Sequence, residues 1–234
     1  MPRLSLATAA LLLVGCTTTQ VYIPSEARAG IVRALEGEDR FMKVSFFATP
    51  FFGDASKKLL SAVQPDELRL LENTDGTAIH PGAVEAVFPA GTILRIKKVE
   101  FPSSFTMTER MLMTPRTLVW LYLDVGGNAK SAPPYVLVLR PGIKDEAEFI
   151  SEVERYLGRE DPAPRLAAFS EPVREGVLTK RAIVEMPAEA LEMAWGYPES
   201  KRFTFEGERK LETWTWPGGK RVAVLSDGRV SELR

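Results

Sequence analysis

Cys16 and His80 are the only thiol and the only imidazole in this 234-residue sequence, and they restrict the chemistry it can carry. One cysteine has no intrachain partner, so a disulfide framework is excluded. His80 lies between Ile79 and Pro81 in a turn, and nothing near it in sequence completes a nucleophile–base–acid triad. A single histidine also cannot supply a histidine-rich zinc site. There is no Gly-x-Ser-x-Gly elbow and no Ser-x-x-Lys with its companion motifs. Gly218-Gly219-Lys220 lacks the earlier glycine of a phosphate loop and reads as a hairpin turn. Glu85, Glu100, Glu109 and Asp124 fall in or near a β-rich region, where two carboxylates could flank a sugar bond. With 31 Asp and Glu available, such pairs arise by chance and a solvated surface is their default. The expectation is no catalytic residue, no metal ligand set and no cofactor.

The remaining candidates are aromatic. Trp195, Tyr197, Trp214 and Trp216 fall close together near the carboxy terminus, and aromatic side chains dominate both cores and interfaces. Trp214 and Trp216 share a strand face at period two. Either that face packs on the helix carrying Leu191, or part of the cluster forms an exposed binding platform.

The start of the chain fixes where such a platform would work. Leu4 to Val14 is almost wholly apolar and follows Arg3. About eleven residues cannot span a bilayer, which takes roughly 20, but they match the apolar region of a secretory signal. Leu13-Val14-Gly15-Cys16 resembles the lipobox of bacterial lipoproteins. The resemblance implies removal of residues 1–15, a diacylglycerol thioether on Cys16 and a membrane anchor of two or three acyl chains, enough for stable attachment. A buried free thiol, which behaves as a small hydrophobe, and an uncleaved anchor are the competing readings. Thr17, Thr18 and Thr19 follow Cys16 without the aspartate that retains enteric lipoproteins in the inner membrane, which favours the periplasmic face of the outer membrane.

Without Arg3, the chain has 30 − 1 = 29 Lys and Arg against 31 Asp and Glu. That balance argues against nucleic acid, which needs a clustered basic excess. With 45% hydrophobic residues the chain can build a packed core, and length allows one large or two small domains.

The elements divide accordingly into a tether over 16–25, a β-rich α+β domain over 26–158, a linker over 159–172 carrying three prolines, and a carboxy-terminal α+β domain over 173–234. In the first domain, periodicity predicts helices over Ser25–Leu35 and Ser56–Val63 and strands over Phe41–Phe47, Leu68–Leu70, Thr92–Phe101 and Leu118–Leu123. A bulge is expected near Lys97-Lys98, and Leu118–Leu123 and Tyr135–Leu139 form a hairpin. Asp145 caps a helix carrying Phe149, Ile150, Val153, Tyr156 and Leu157, which Gly158 stops. The pattern is compatible with a small SH3-like barrel flanked by helices. In the second domain, Pro187 starts a helix and strands follow over 202–205, 211–216, 221–225 and 229–233.

Met186, Gly196, Pro198, Trp214, Trp216, Asp227, Gly228 and Val230 resemble the pattern of SmpA/OmlA or BamE-like lipoproteins, with Glu185 and Ala194-Trp195 departing from it. The resemblance covers roughly a quarter of the chain and implies a small two-helix plus antiparallel-sheet domain. Beta-lactamase inhibitory proteins share that plan and bind through aromatic residues on a concave sheet. The reading is therefore a non-enzymatic outer-membrane lipoprotein that holds or assists another envelope protein. A periplasmic ligand-binding or enzyme-inhibiting module is the alternative, and a hydrolase is a third.

Overall fold

The computed structural model describes residues 21–127, 133–207 and 209–234, so residues 1–20, with Cys16, the segment expected to be a signal and most of the expected tether, lie outside them. The tether ends earlier than expected: Val21 and Ile23 are buried in the first core, and α1 follows over Ser25–Leu35.

The next elements are β1 (Asp39–Met42), β2 (Phe46–Phe51), β3 (Asp54–Ser61), β4 (Ala86–Phe88), β5 (Ile93–Glu100), α2 (Ser104–Glu109), β6 (Trp120–Val125), β7 (Tyr135–Val138), α3 (Glu146–Tyr156) and β8 (Leu157–Gly158). Their strands form one sheet in the order β4-β2-β3-β7-β6-β5-β1-β8. All neighbours are antiparallel except β3 and β7. The SH3-like barrel is thus corrected to an open, mixed, eight-stranded sheet whose two edges, β4 and β8, are very short. The parallel β3–β7 pair explains the difference, because a parallel pairing needs a long crossover and the intervening chain supplies β4, β5, α2 and β6.

Ser56–Val63 is corrected from helix to strand. Leu59 and Leu60 are both buried, on opposite faces of the sheet, because β3 lies between β2 and β7. An apolar run covered on both faces looks the same to a helix and a central strand. Leu68–Leu70 forms no strand, and Leu68 packs on the sheet's second face. Elsewhere the local chemistry matches: register shifts between Ile96 and Lys98, β6 and β7 pair as a hairpin, and the Asp145 carboxylate accepts from Glu148 N at 2.8 Å. Gly158 is not the stop of α3. Leu157 turns extended and pairs with Met42 instead.

After β8 come α4 (Ala163–Ala168), α5 (Glu171–Leu178), α6 (Ala188–Trp195), β9 (Ser200–Glu206), β10 (Arg209–Thr215), β11 (Val222–Ser226) and β12 (Arg229–Leu233). The 159–172 segment carries α4, whose Leu166 is buried in the second core. The second sheet is the antiparallel meander β12-β11-β10-β9. Together the molecule is α+β, with an eight-stranded mixed sheet, a four-stranded antiparallel sheet and six helices among the described residues. This overturns the small two-helix BamE-like plan: three helices precede the second sheet, and its unit is joined to the large sheet by buried polar groups.

Those groups centre on Ser45 and Lys180. Ser45 N donates to Met193 O at 2.8 Å, and its hydroxyl donates to Val177 O at 2.7 Å and accepts from Ala90 N at 3.0 Å. The Lys180 ammonium donates to Ser45 O, Ala62 O and Ala194 O at 2.6, 3.0 and 2.8 Å. Burial pushes its pKa well below the ordinary lysine value. A third link is the bidentate pair between Arg221 and Glu67, at 2.7 Å for both bonds.

Within the second unit, Gly176 of α5 allows a close approach. A Cβ there would stand 2.6 Å from Arg181 O and 2.7 Å from Met186 Cε. Gly176→Ala is expected to cost about 1–3 kcal/mol through overpacking, read as a lowered urea midpoint at unchanged slope.

Candidate functional site

The four aromatic residues singled out from the sequence are brought together, but as core. Trp216 is 0% and Trp214 3% exposed, and Trp195 packs against the same cluster. Trp195 meets Trp216 edge-on at 5.0 Å between centroids, and Trp214 lies 6.2 Å from Trp216. The Trp216 indole donates to Gly196 O at 3.0 Å. Tyr197 is half-buried against the first core, 6.0 Å edge-on to Tyr156, and burial raises its pKa. An exposed platform made of Trp214 and Trp216 is therefore corrected: α6 covers that face with Leu191 and Ala194.

The same sheet face continues past the helices onto β9, and there it is open. Lys201, Phe203 and Phe205 stand opposite Trp214, Glu212 and Lys210. Phe203 is 53% and Phe205 71% exposed, and every described residue of β9 is exposed. Lys201 lies over the Trp214 ring at 3.7 Å and pairs with Glu192, while Lys210 lies over Phe203 at 4.5 Å. The buried aromatic face thus passes through a lysine layer into two solvent-facing phenylalanines. Sequence reasoning missed them because a strand with alternating aromatics reads as one buried face. The signal was the position of the strand, first in a meander and hence at an edge.

The edge itself is distinctive. An edge strand presents a row of unpaired N–H and C=O groups, and proteins normally keep such strands short or cover them. The other edge of this sheet is covered: β12 exchanges backbone bonds with the 185–187 segment, through Glu185 N to Val230 O and Val230 N to Met186 O. Seven-residue β9 has no such cover among the described residues. Lys201, Arg202 and Glu206 put charges along it, which discourages indiscriminate pairing.

A cleft of about 750 Å³ lies at the seam of the two units, within the usual size of ligand pockets. Leu60, Leu68, Leu70 and Leu137 line it from the first unit, Thr215 and Pro217 from the second. Three of its charged groups are paired: Glu67 holds Arg221, and Arg140 bonds Glu148 and, at 3.3 Å, Glu152. Burial and the neighbouring Glu152 raise the Tyr156 phenol to about 12. The Ser61 hydroxyl donates to a backbone carbonyl, Val63 O, at 2.9 Å.

Two of the acids considered from the sequence are held by cations. Glu85 pairs with Lys58 at 2.7 Å, and Glu100 with Arg110 at 2.8 Å. Burial works to raise the Glu100 carboxyl, but hydrogen bonds from Lys98 and Arg110 outweigh it and hold the pKa below the ordinary value. His80 is exposed in its loop. No group of three or more His, Cys, Asp or Glu could hold a metal ion among the described residues, and no helix there is long and apolar enough to cross a membrane. The chain matches no protein-family model, and no curated protein or solved structure is significantly similar to it.

Proposed function

We propose that this protein is a non-enzymatic lipoprotein, anchored through Cys16 to the periplasmic face of the outer membrane, that holds an extended segment of another envelope protein along β9. The observation that carries the reading is the seven-residue edge, uncovered among the described residues, with Phe203 and Phe205 exposed on it. An incoming strand gains main-chain hydrogen bonds from such an edge, and its alternate side chains find an apolar surface. The charged residues on β9 select the partner. The location rests on the residues around Cys16.

A photo-reactive benzoylphenylalanine placed at Phe205 and irradiated in intact cells is expected to give a covalent adduct with a second protein. Phe203→Ser should reduce the yield about tenfold, the loss of one buried aromatic contact. The same probe at Glu232, on the opposite strand of the sheet, should give none. Equal adducts at both positions, or none at Phe205, would overturn the capture of a strand by β9. In the same cells, palmitate label should follow the wild type into the membrane fraction and be lost with Cys16→Ser. Label unchanged in that variant would overturn the anchor.

A further inference from the structure

The connection between β5 and β6 holds the other exposed apolar group. Phe105, Met111, Leu112 and Met113 are all large, lie within nine residues and face solvent, with Leu112 74% exposed. Contiguous exposed apolar side chains mark interaction sites.

This segment is braced from beneath. Ser103 and Thr106 form a reciprocal cap at the start of α2, with Ser103 N donating to Thr106 Oγ1 at 2.8 Å and Thr106 N to Ser103 Oγ at 3.1 Å. Arg110 is buried under the loop. It donates to Arg116 O and Leu118 O at 2.6 and 2.8 Å and to Glu100 Oε1 at 2.8 Å, and its guanidinium lies 3.8 Å from the Trp120 ring centroid. The Thr114 hydroxyl donates to Met111 O at 2.6 Å, and the Trp120 indole to Pro115 O at 3.0 Å. The backbone is thus held at both ends of Met111–Met113 while the side chains point outward. A contact loop ordered in advance loses less entropy on binding.

The amino-terminal segment lies toward this part of the protein. Arg28 donates to Val21 O at 2.9 Å and Ile23 O at 2.7 Å, and its guanidinium lies over the Phe101 ring at 5.4 Å. Phe101 O in turn accepts from Thr106 Oγ1 at 3.4 Å. Val21 is therefore tied through Arg28 and Phe101 to the start of α2. Only residues 17–20 separate it from Cys16, and a chain that short reaches at most roughly 18 Å. Acyl chains on Cys16 would bring a bilayer to this end of the protein. Residues 102–117 carry Glu109, Arg110 and Arg116, so no excess of acid opposes approach to anionic phospholipid.

We infer that Phe105, Met111, Leu112 and Met113 insert into the phospholipid leaflet that holds the Cys16 lipid, giving the protein a second membrane contact. The inference rests on the anchor in the proposed function. Thioether and alkyl side chains adapt to a fluid apolar partner, and Tyr22, which is exposed beside the docked segment, suits the bilayer interface.

The test uses the full chain. Lipidation consumes the only native thiol, so Leu112→Cys in the lipidated protein can be labelled alone with an environment-sensitive fluorophore. In vesicles of phosphatidylethanolamine and phosphatidylglycerol, the label is expected to shift to the blue and be quenched by nitroxide on the acyl chains. A label at Glu232→Cys should do neither. The same label on a Cys16→Ser, Leu112→Cys chain should partition weakly onto those vesicles, and adding Met111→Ser should lower the partition about tenfold. Membrane-bound protein whose label at position 112 behaves like that at 232 would overturn the second contact while leaving the anchor standing. Wild-type protein that stays off membranes would overturn the anchor, and the unlipidated arm would still decide whether the loop enters lipid. A shift that grows with protein concentration in the absence of vesicles would assign the loop to a second copy of the chain and overturn the inference.

Discussion

Trp216→Ala is expected to lower the stability of the protein by about 3–5 kcal/mol, the range for emptying the space of a fully buried large aromatic side chain. The residue is wholly buried, meets Trp195 and Trp214 in one cluster and bonds Gly196 O. Truncation leaves a cavity and also leaves that carbonyl without its donor. Because Arg221 stacks over Trp195 at 4.8 Å and lies 5.7 Å from the Trp216 centroid, the loss reaches the Arg221–Glu67 pair at the seam. Trp216→Phe keeps most of the apolar contact and should cost less. Urea unfolding followed by fluorescence reads both. Phe205→Ser, at the exposed end of the same sheet face, should change stability by no more than about 0.5 kcal/mol. If Trp216→Ala and Phe205→Ser cost the same, the division of this face into core and contact surface would be wrong.

Lys180→Met is the second large effect. The residue is 4% exposed, and its ammonium has three N–H groups facing three carbonyls, from the β1–β2 connection, the end of β3 and the end of α6. Methionine fills similar volume and donates nothing. Each carbonyl left buried without its donor costs about 1–3 kcal/mol, so a loss on the order of 3 kcal/mol or more is expected. Because two of the lost bonds, to Ser45 O and Ala62 O, cross between the two units, the variant is expected to unfold in two transitions where the wild type unfolds in one. The wild type carries a pH signature that the variant lacks. Burial lowers the folded-state pKa of Lys180, so in the window below the ordinary lysine value of about 10.4 the unfolded chain binds the proton more tightly. Stability contributed by this group therefore rises with pH through that window and falls as pH drops. Denaturation of wild type and Lys180→Met across alkaline pH checks the sign. A variant that unfolds in one transition with the wild-type pH slope would show that Lys180 does not join the sheets.

Elements with strong local signals were legible from sequence. The Asp145 cap, the β5 bulge, the β6–β7 hairpin and the positions of the last four strands follow from residues within a few positions of one another. β3 was not legible, because Leu59-Leu60-Ser61-Ala62 is apolar in a way that satisfies helix and central strand alike. The barrel expectation failed for a related reason: pairing β3 parallel to β7 joins residues far apart in sequence, and no local pattern encodes it. The tryptophans were recognised as one cluster, yet their burial depends on α6 lying across them. Phe203 and Phe205 are chemically no different from core phenylalanines, and only the sheet order places them on an open edge.

By itself, the sequence determined that its one cysteine has no partner among these residues and that there is no basic excess, and it gave rise to the expectation of a lipid on Cys16. These follow from residue counts and contiguous motifs. The tertiary structure decided that the chain forms one eight-stranded and one four-stranded sheet, that Lys180 and Ser45 fasten them, and that β9 and the Arg110-braced loop carry the exposed apolar side chains. Those outcomes depend on which surfaces become covered when distant segments meet. Burial is a property of the assembled neighbours, whereas the same side chain in the sequence has no neighbours yet.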